Sequence, residues 1–153
     1  MKIAIDVGGV LTRYEGRRDV ENPVINVDGA LEVLKEWKSQ GYELYIVSFC
    51  KKKSAIYRSE KLKMHGQDEL FKMEWYVEDK FYKSDVIAWI QPDIMIDDNE
   101  AVLTSIGMKN KKITSIMFQE FNDQQKKKSK MHKIANCWKD VKEIVDKEVV
   151  RSY

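Results

Sequence analysis

Short apolar runs that end in polar residues recur along the chain, and stretches with helical spacing separate them. Ile3, Ala4 and Ile5 form the first run and stop at Asp6. An unbroken run of this kind suits a strand buried on both faces of a parallel sheet. Residues 10 to 27 are mixed and polar, with a turn at Asn22-Pro23, and read as a loop or short hairpin over the strand ends, with Val24, Ile25 and Val27 as a short extended piece. Asp28 is placed to cap a helix whose apolar face is Leu31, Val33, Leu34 and Trp37, with Gly41 as its stop. Glu43 to Phe49 reads as a second strand ending at Ser48. A helix from about Ser54 to Met64 follows, then a short strand at Trp75-Tyr76-Val77.

Lys83-Ser84-Asp85 opens a helix that runs through Ile90 and ends at Gln91-Pro92. Asp93 to Ile96 is an apolar strand leading into Asp97-Asp98, Glu100 to Ile106 a helix stopped at Gly107, and Ile113 to Phe118 a further strand. Ala135 to Val150 has Cys137, Trp138, Val141, Ile144, Val145 and Val149 at helical spacing. The tryptophans fall on apolar faces and read as core. Strands that alternate with helices imply parallel pairing and right-handed crossovers, hence a single α/β domain with a three-layer, doubly wound, Rossmann-like sheet.

This pattern gives the polar strand ends a common address. In a parallel sheet, Asp6, Ser48 and Asp97-Asp98 all lie along one edge, where open α/β sheets place their ligands. Lys83 begins the helix just before the strand that leads to Asp97. Gly8 and Gly9 let the chain turn and bring the backbone close to a bound group. Clustered carboxylate oxygens favour a hard cation such as Mg²⁺, and Mg²⁺ with a lysine and a hydroxyl makes a receptor for phosphate oxygens.

Composition narrows the classes. The chain has 153 residues, 34% of them charged, and a net charge of +2, too small to imply nucleic acid as a partner by itself. No apolar run approaches the roughly 20 residues that span a bilayer, and the N-terminus does not read as a signal peptide. An intracellular, cytoplasmic protein without a membrane partner is expected. Cys50 and Cys137 are too few for a disulfide framework. The basic stretch from Lys126 to Lys133 reads as a solvated linker.

Asp6-Val7-Gly8-Gly9-Val10-Leu11-Thr12, Ser48, Lys83 and Ile94-Met95-Ile96-Asp97-Asp98 come in the order of the four motifs of the haloacid dehalogenase-like (HAD) superfamily. The chain resembles that superfamily, most of whose members are phosphatases, over nearly its whole length. The resemblance implies that Asp6 is a nucleophile forming an aspartyl phosphate. Ser48 and Lys83, with the Gly9 backbone, would hold phosphoryl oxygens. Asp6, the Gly8 carbonyl, Asp97 and Asp98 would hold Mg²⁺. Family phosphatases carry a second Asp where this chain has Gly8, as the acid that protonates the leaving oxygen and the base that later activates water. Its absence implies slow turnover, a good leaving group, a borrowed group such as Glu15 or the substrate itself, or binding without turnover.

The stretches between Thr12 and Ser48 and between Ser48 and Lys83 are mostly used by core helices, so no large cap domain is expected and the site should be open or closed by a neighbouring subunit. Lys51, Lys52 and Lys53, with Arg13, Arg17 and Arg18, are candidates for a basic rim. The expected ligand is a phosphorylated small molecule or nucleotide, with a nucleic-acid end or a phosphorylated macromolecule as alternatives. The rival to an enzyme is an inactive module that binds a phosphorylated ligand or partner.

Overall fold

The alternation in sequence folds into one parallel sheet with helices on both faces. The structure, a computed structural model, describes residues 1–13, 22–119 and 131–151. Among these are strands β1 (Lys2–Ile5), β2 (Glu43–Phe49), β3 (Met73–Val77), β4 (Ile94–Asp97), β5 (Thr114–Phe118) and β6 (Lys133–Ala135). The helices are α1 (Ala30–Ser39), α2 (Lys52–Met64), α3 (Lys83–Ile90), α4 (Glu100–Lys109) and α5 (Trp138–Arg151), with short 3-10 turns at Asp68–Leu70 and Lys80–Tyr82. The strand order is β3-β2-β1-β4-β5-β6 and every pairing is parallel. The order reverses between β1 and β4, which is where a doubly wound sheet opens a crevice. No helix among the described residues is long and apolar enough to cross a membrane.

Strand β1 shows how the core is divided. Ile3 and Ile5 face a cluster that includes Val33, Leu34 and Trp37 of α1 and Trp138, Val141 and Val145 of α5. Ala4 faces the other side, with Ile87 and Ile90 of α3 and Leu103 and Ile106 of α4. Side chains that alternate across a strand and are apolar on both faces require a helical layer on each.

Several local expectations are corrected. Helix α1 is capped by Gly29, held at φ 81° with no side-chain cap bond, so Asp28 does not serve as its cap. Helix α2 starts at Lys52, before Ser54. Helix α4 runs past Gly107 and ends at Lys109, because Gly107 stays helical and the chain turns extended only at Asn110. Helix α5 starts at Trp138, since Lys133–Ala135 instead pairs with β5. Val24 to Val27 is not a strand. Trp37 and Trp138 are core, but Trp89 is 68% exposed. Residues 14–21 of the expected hairpin, Glu15, Arg17 and Arg18 among them, lie outside the described residues, as does most of the basic stretch up to Lys130.

Trp138 joins the C-terminal helix to the loop after β1. Its rings pack 5.9 Å from Trp37 and 6.1 Å from Phe118, and its buried Nε1 donates to the Val10 carbonyl at 2.9 Å. Trp138→Phe keeps most of the apolar contact and removes that donor. A buried acceptor left unsatisfied costs about 1–3 kcal/mol. Urea unfolding of this variant should show a loss of that order with an unchanged m-value; an unchanged midpoint would mean that the bond contributes nothing.

Candidate active site

The site is built where β1 and β4 lie side by side. Asp6 follows β1, and its backbone N–H donates to the Ile96 carbonyl of β4 at 2.9 Å. The chain then turns back tightly: the Val7 carbonyl accepts from the N–H groups of Val10 (3.2 Å), Leu11 (2.9 Å) and Thr12 (3.1 Å), and Gly9 N–H donates to Thr12 (3.0 Å). Gly9 sits at φ 76°, and a Cβ there would collide with the Asp98 carboxylate. Glycine is needed at that position on both counts. Gly9 thus packs the turn onto Asp98, and Gly8 lines the adjoining cleft.

Asp97 ends β4 and is fully buried. Its Oδ1 accepts from the Asn99 N–H at 3.0 Å, and Asn99 in turn caps α4 by accepting from Val102 N–H at 3.1 Å. Lys83, the first residue of α3, is also buried. Its Nζ reaches Asp6 Oδ1 at 3.0 Å and Asp97 Oδ2 at 2.8 Å. One ammonium therefore bridges two carboxylates from neighbouring strands. Oxygens of Asp6, Asp97 and Asp98 all lie within 4.8 Å of one another.

The charges are not balanced by this one lysine. Burial, and then the Asp97 charge, push the Asp6 pKa well above the usual carboxylate range, although Lys83 pulls it down. Desolvation and the Asp97 charge push Asp98 up to about 6. Burial works against the Lys83 ammonium, but the charges of Asp6 and Asp97 outweigh it and hold its pKa above the ordinary value. Three oxygen donors crowded at this cost, with no nitrogen or sulfur among them, fit a hard divalent cation.

Ser48 and its surroundings differ from the sequence expectation. Ser48 is fully buried at the end of β2. Its Oγ accepts from Arg58 Nη1 at 2.5 Å, and Arg58, in the middle of α2, lines the cleft. Burial lowers the guanidinium pKa and the Asp6 charge opposes that shift. The cleft has a volume of about 300 Å³, and its described lining also includes Phe49 and Lys80. Lys51, Lys52 and Lys53 are exposed at the start of α2, and Arg13 is exposed beyond the Asp6 turn; none belongs to this lining. Arg58, Phe49 and Lys80 were not candidates from sequence. Nothing in the local pattern around these three residues marks them as lining a site.

No family model matches the sequence, and no curated protein does. Solved structures do. A D,D-heptose 1,7-bisphosphate phosphatase from B. bronchiseptica, complexed with magnesium and phosphate, superposes with a TM-score of 0.69 at 12% identity, covering 96% of this chain and 98% of that one. An uncharacterised protein from Listeria monocytogenes serotype 4b gives 0.63 at 16% identity, over 94% and 96%. A putative HAD-hydrolase from Bacillus subtilis bound to magnesium gives 0.59 at 15% identity, over 78% of this chain and 56% of that one. At these identities the likeness shows the fold, which is HAD-like and has no large cap domain.

The raised carboxylates have a consequence for stability. Between the ordinary carboxylate pKa and about 6, native Asp98 holds a proton that the unfolded chain has released. Its contribution to stability is full below the ordinary pKa and is lost as pH rises through about 6. Thermal unfolding in EDTA should therefore show a midpoint that falls from pH 5 to pH 7.5, with Asp98→Asn flattening the slope. Millimolar Mg²⁺ should raise the midpoint more at pH 7.5, where Asp98 is ionised, than at pH 5. A Mg²⁺ effect that is absent at both pH values would contradict the cation site.

Proposed function

We propose that the chain is a phosphohydrolase in which Asp6 takes the phosphoryl group of a phosphorylated substrate as an aspartyl phosphate. The observation that carries this reading is the buried Lys83 ammonium between Asp6 and Asp97, beside a third carboxylate and in a cleft that also contains Arg58. The fold shared with a heptose bisphosphate phosphatase and a predicted phosphoglycolate phosphatase supports it. Asp6 is the nucleophile, and covalent catalysis splits one hard displacement into two easier ones. Lys83 holds phosphoryl oxygens and lowers the repulsion an incoming dianion meets from Asp97. Arg58 binds the phosphate, and the buried Ser48 positions Arg58 by accepting from its guanidinium.

Asp6, the Gly8 carbonyl, Asp97 and Asp98 would hold Mg²⁺, which when bound supplies positive charge against the phosphate oxygens. Gly8 provides no acid for the leaving oxygen and no base for water. A positioned acid or base is typically worth about 10²–10⁴ in rate, so turnover is slow and limited to leaving groups that depart without a proton. An intracellular site of action fits two free thiols. Gly8 also favours a second reading, in which the cleft holds a phosphorylated ligand without turning it over.

Hydrolysis of a series of aryl and alkyl phosphates in Mg²⁺ tests the two readings. The enzyme reading expects Mg²⁺-dependent release from aryl phosphates, a steep dependence on leaving-group pKa, and loss of activity in Asp6→Asn. Full activity in Asp6→Asn, or equal rates on aryl and alkyl esters, would refute it; ligand binding with no release from any ester would leave the binding module.

A further inference from the structure

Besides the Arg58 that binds the phosphoryl group, the cleft lining has a further cation, Lys80, and an aromatic wall that phosphate does not use. Lys83 bridges Asp6 and Asp97. Arg58 and Lys80 are two further cations in the lining. Phe49, adjacent in sequence to Ser48, lines the same cleft with half of its surface exposed. Lys51, Lys52 and Lys53 follow immediately and are exposed. Position 8 has no side chain from which a leaving group can take a proton.

Resting on the phosphohydrolase reading, we infer that the substrate is a nucleotide phosphoanhydride, with its terminal phosphoryl group at Asp6 and Arg58, its remaining phosphate at Lys80, and its base against Phe49. A carboxylate oxygen of Asp6 forms a bond to the terminal phosphorus. The bond from that phosphorus to the bridging oxygen breaks, and its electron pair stays on the bridging oxygen. That oxygen becomes a terminal oxygen of the departing nucleotide, which is stable as an anion at neutral pH, so no proton is needed. Water then attacks the phosphorus, the bond to Asp6 breaks, the carboxylate is restored, and both protons of the water leave with inorganic phosphate. The missing acid is thus matched by the leaving group. Lys80 meets the charge that develops on it, the kind of fixed electrostatic stabilisation that acts without a proton. Stacking on Phe49 tolerates any base, since every base has a π-face.

The test compares kcat/KM of the full chain in Mg²⁺ on ADP, ATP, AMP, pyrophosphate, p-nitrophenyl phosphate and a 5′-triphosphorylated oligonucleotide. ADP or ATP should exceed AMP by about 10² or more, the range a missing acid implies. Phe49→Ala should raise KM for ADP about tenfold, as expected when a base loses its stacking partner, and leave pyrophosphate unchanged, with Phe49→Trp restoring ADP. Lys80→Ala should reduce kcat on ADP more than on p-nitrophenyl phosphate. ADP binding to Asp6→Asn, measured by calorimetry with and without Phe49→Ala, gives the same comparison without turnover. ATP and the oligonucleotide carry the same terminal anhydride. Faster, salt-sensitive turnover of the oligonucleotide assigns a nucleic-acid end approached over the lysines, and faster ATP assigns a free nucleotide. AMP matching ADP, or Phe49→Ala affecting ADP and pyrophosphate alike, overturns the inference. Asp6-dependent hydrolysis of aryl phosphates without hydrolysis of anhydrides overturns it and leaves the phosphohydrolase reading standing. No hydrolysis of any substrate removes both.

Discussion

The Lys83 ammonium between Asp6 and Asp97 is the interaction on which the rest of the site depends. Parallel pairing of β1 with β4, Ile5 opposite Ile96, brings their two terminal carboxylates together at the switch point of the sheet. Both are buried, and two buried carboxylates repel. Lys83 is the cation among the described residues that contacts both. Its position at the first residue of α3, after the turn at Lys80–Tyr82, is therefore a structural requirement as well as a chemical one. It still falls short of balance, as the raised carboxylates show. The missing positive charge is what a divalent cation at the three carboxylates would supply.

The surroundings of this pair are rigid for separate reasons. The turn from Val7 to Thr12 closes on its own backbone bonds and lies against Asp98 because Gly9 has no Cβ. Its outer side is tied through Val10 to Trp138, and so to the tryptophan cluster under α1 and α5. On the other flank, Ser48 is held by Arg58 from α2. Preorganised groups of this kind cost no rearrangement when charge develops. Position 8 departs from this economy, since a residue with no side chain sits in the cleft wall where chemistry on ordinary esters would want an acid.

Much of this was legible in the sequence, for a definite reason. Apolar runs that stop at Asp6, Ser48 and Asp97 fix strand ends, and a parallel sheet puts strand ends on one edge, so topology alone gathers the motif residues. Lys83 could be placed because it opens the helix before β4. Arg58 could not: it lies among polar residues of α2, where nothing in the local pattern separates a residue turned into the cleft from a solvated one, and its partner Ser48 lies before the helix begins. Strand β6 was missed because three residues beside a basic stretch carry no alternation, and its pairing with β5 is set only by the tertiary structure. Trp89 misled for a related reason. Helix α3 is apolar around most of its circumference, so hydrophobicity does not reveal which face is covered; Trp89 points out and meets Trp75 edge-on at 5.3 Å.

A phosphoryl group passing through Asp6 can be observed directly. Without a base at position 8 to activate water, the covalent form should accumulate. The protein would be incubated with Mg²⁺ and acetyl phosphate, a donor whose leaving group needs no proton, then quenched in acid and mapped by peptide mass spectrometry. One phosphoryl group is expected on the peptide that contains Asp6, absent in EDTA and absent in Asp6→Asn. Turnover with no phosphoryl group on Asp6, or a phosphoryl group that persists in Asp6→Asn, would contradict it.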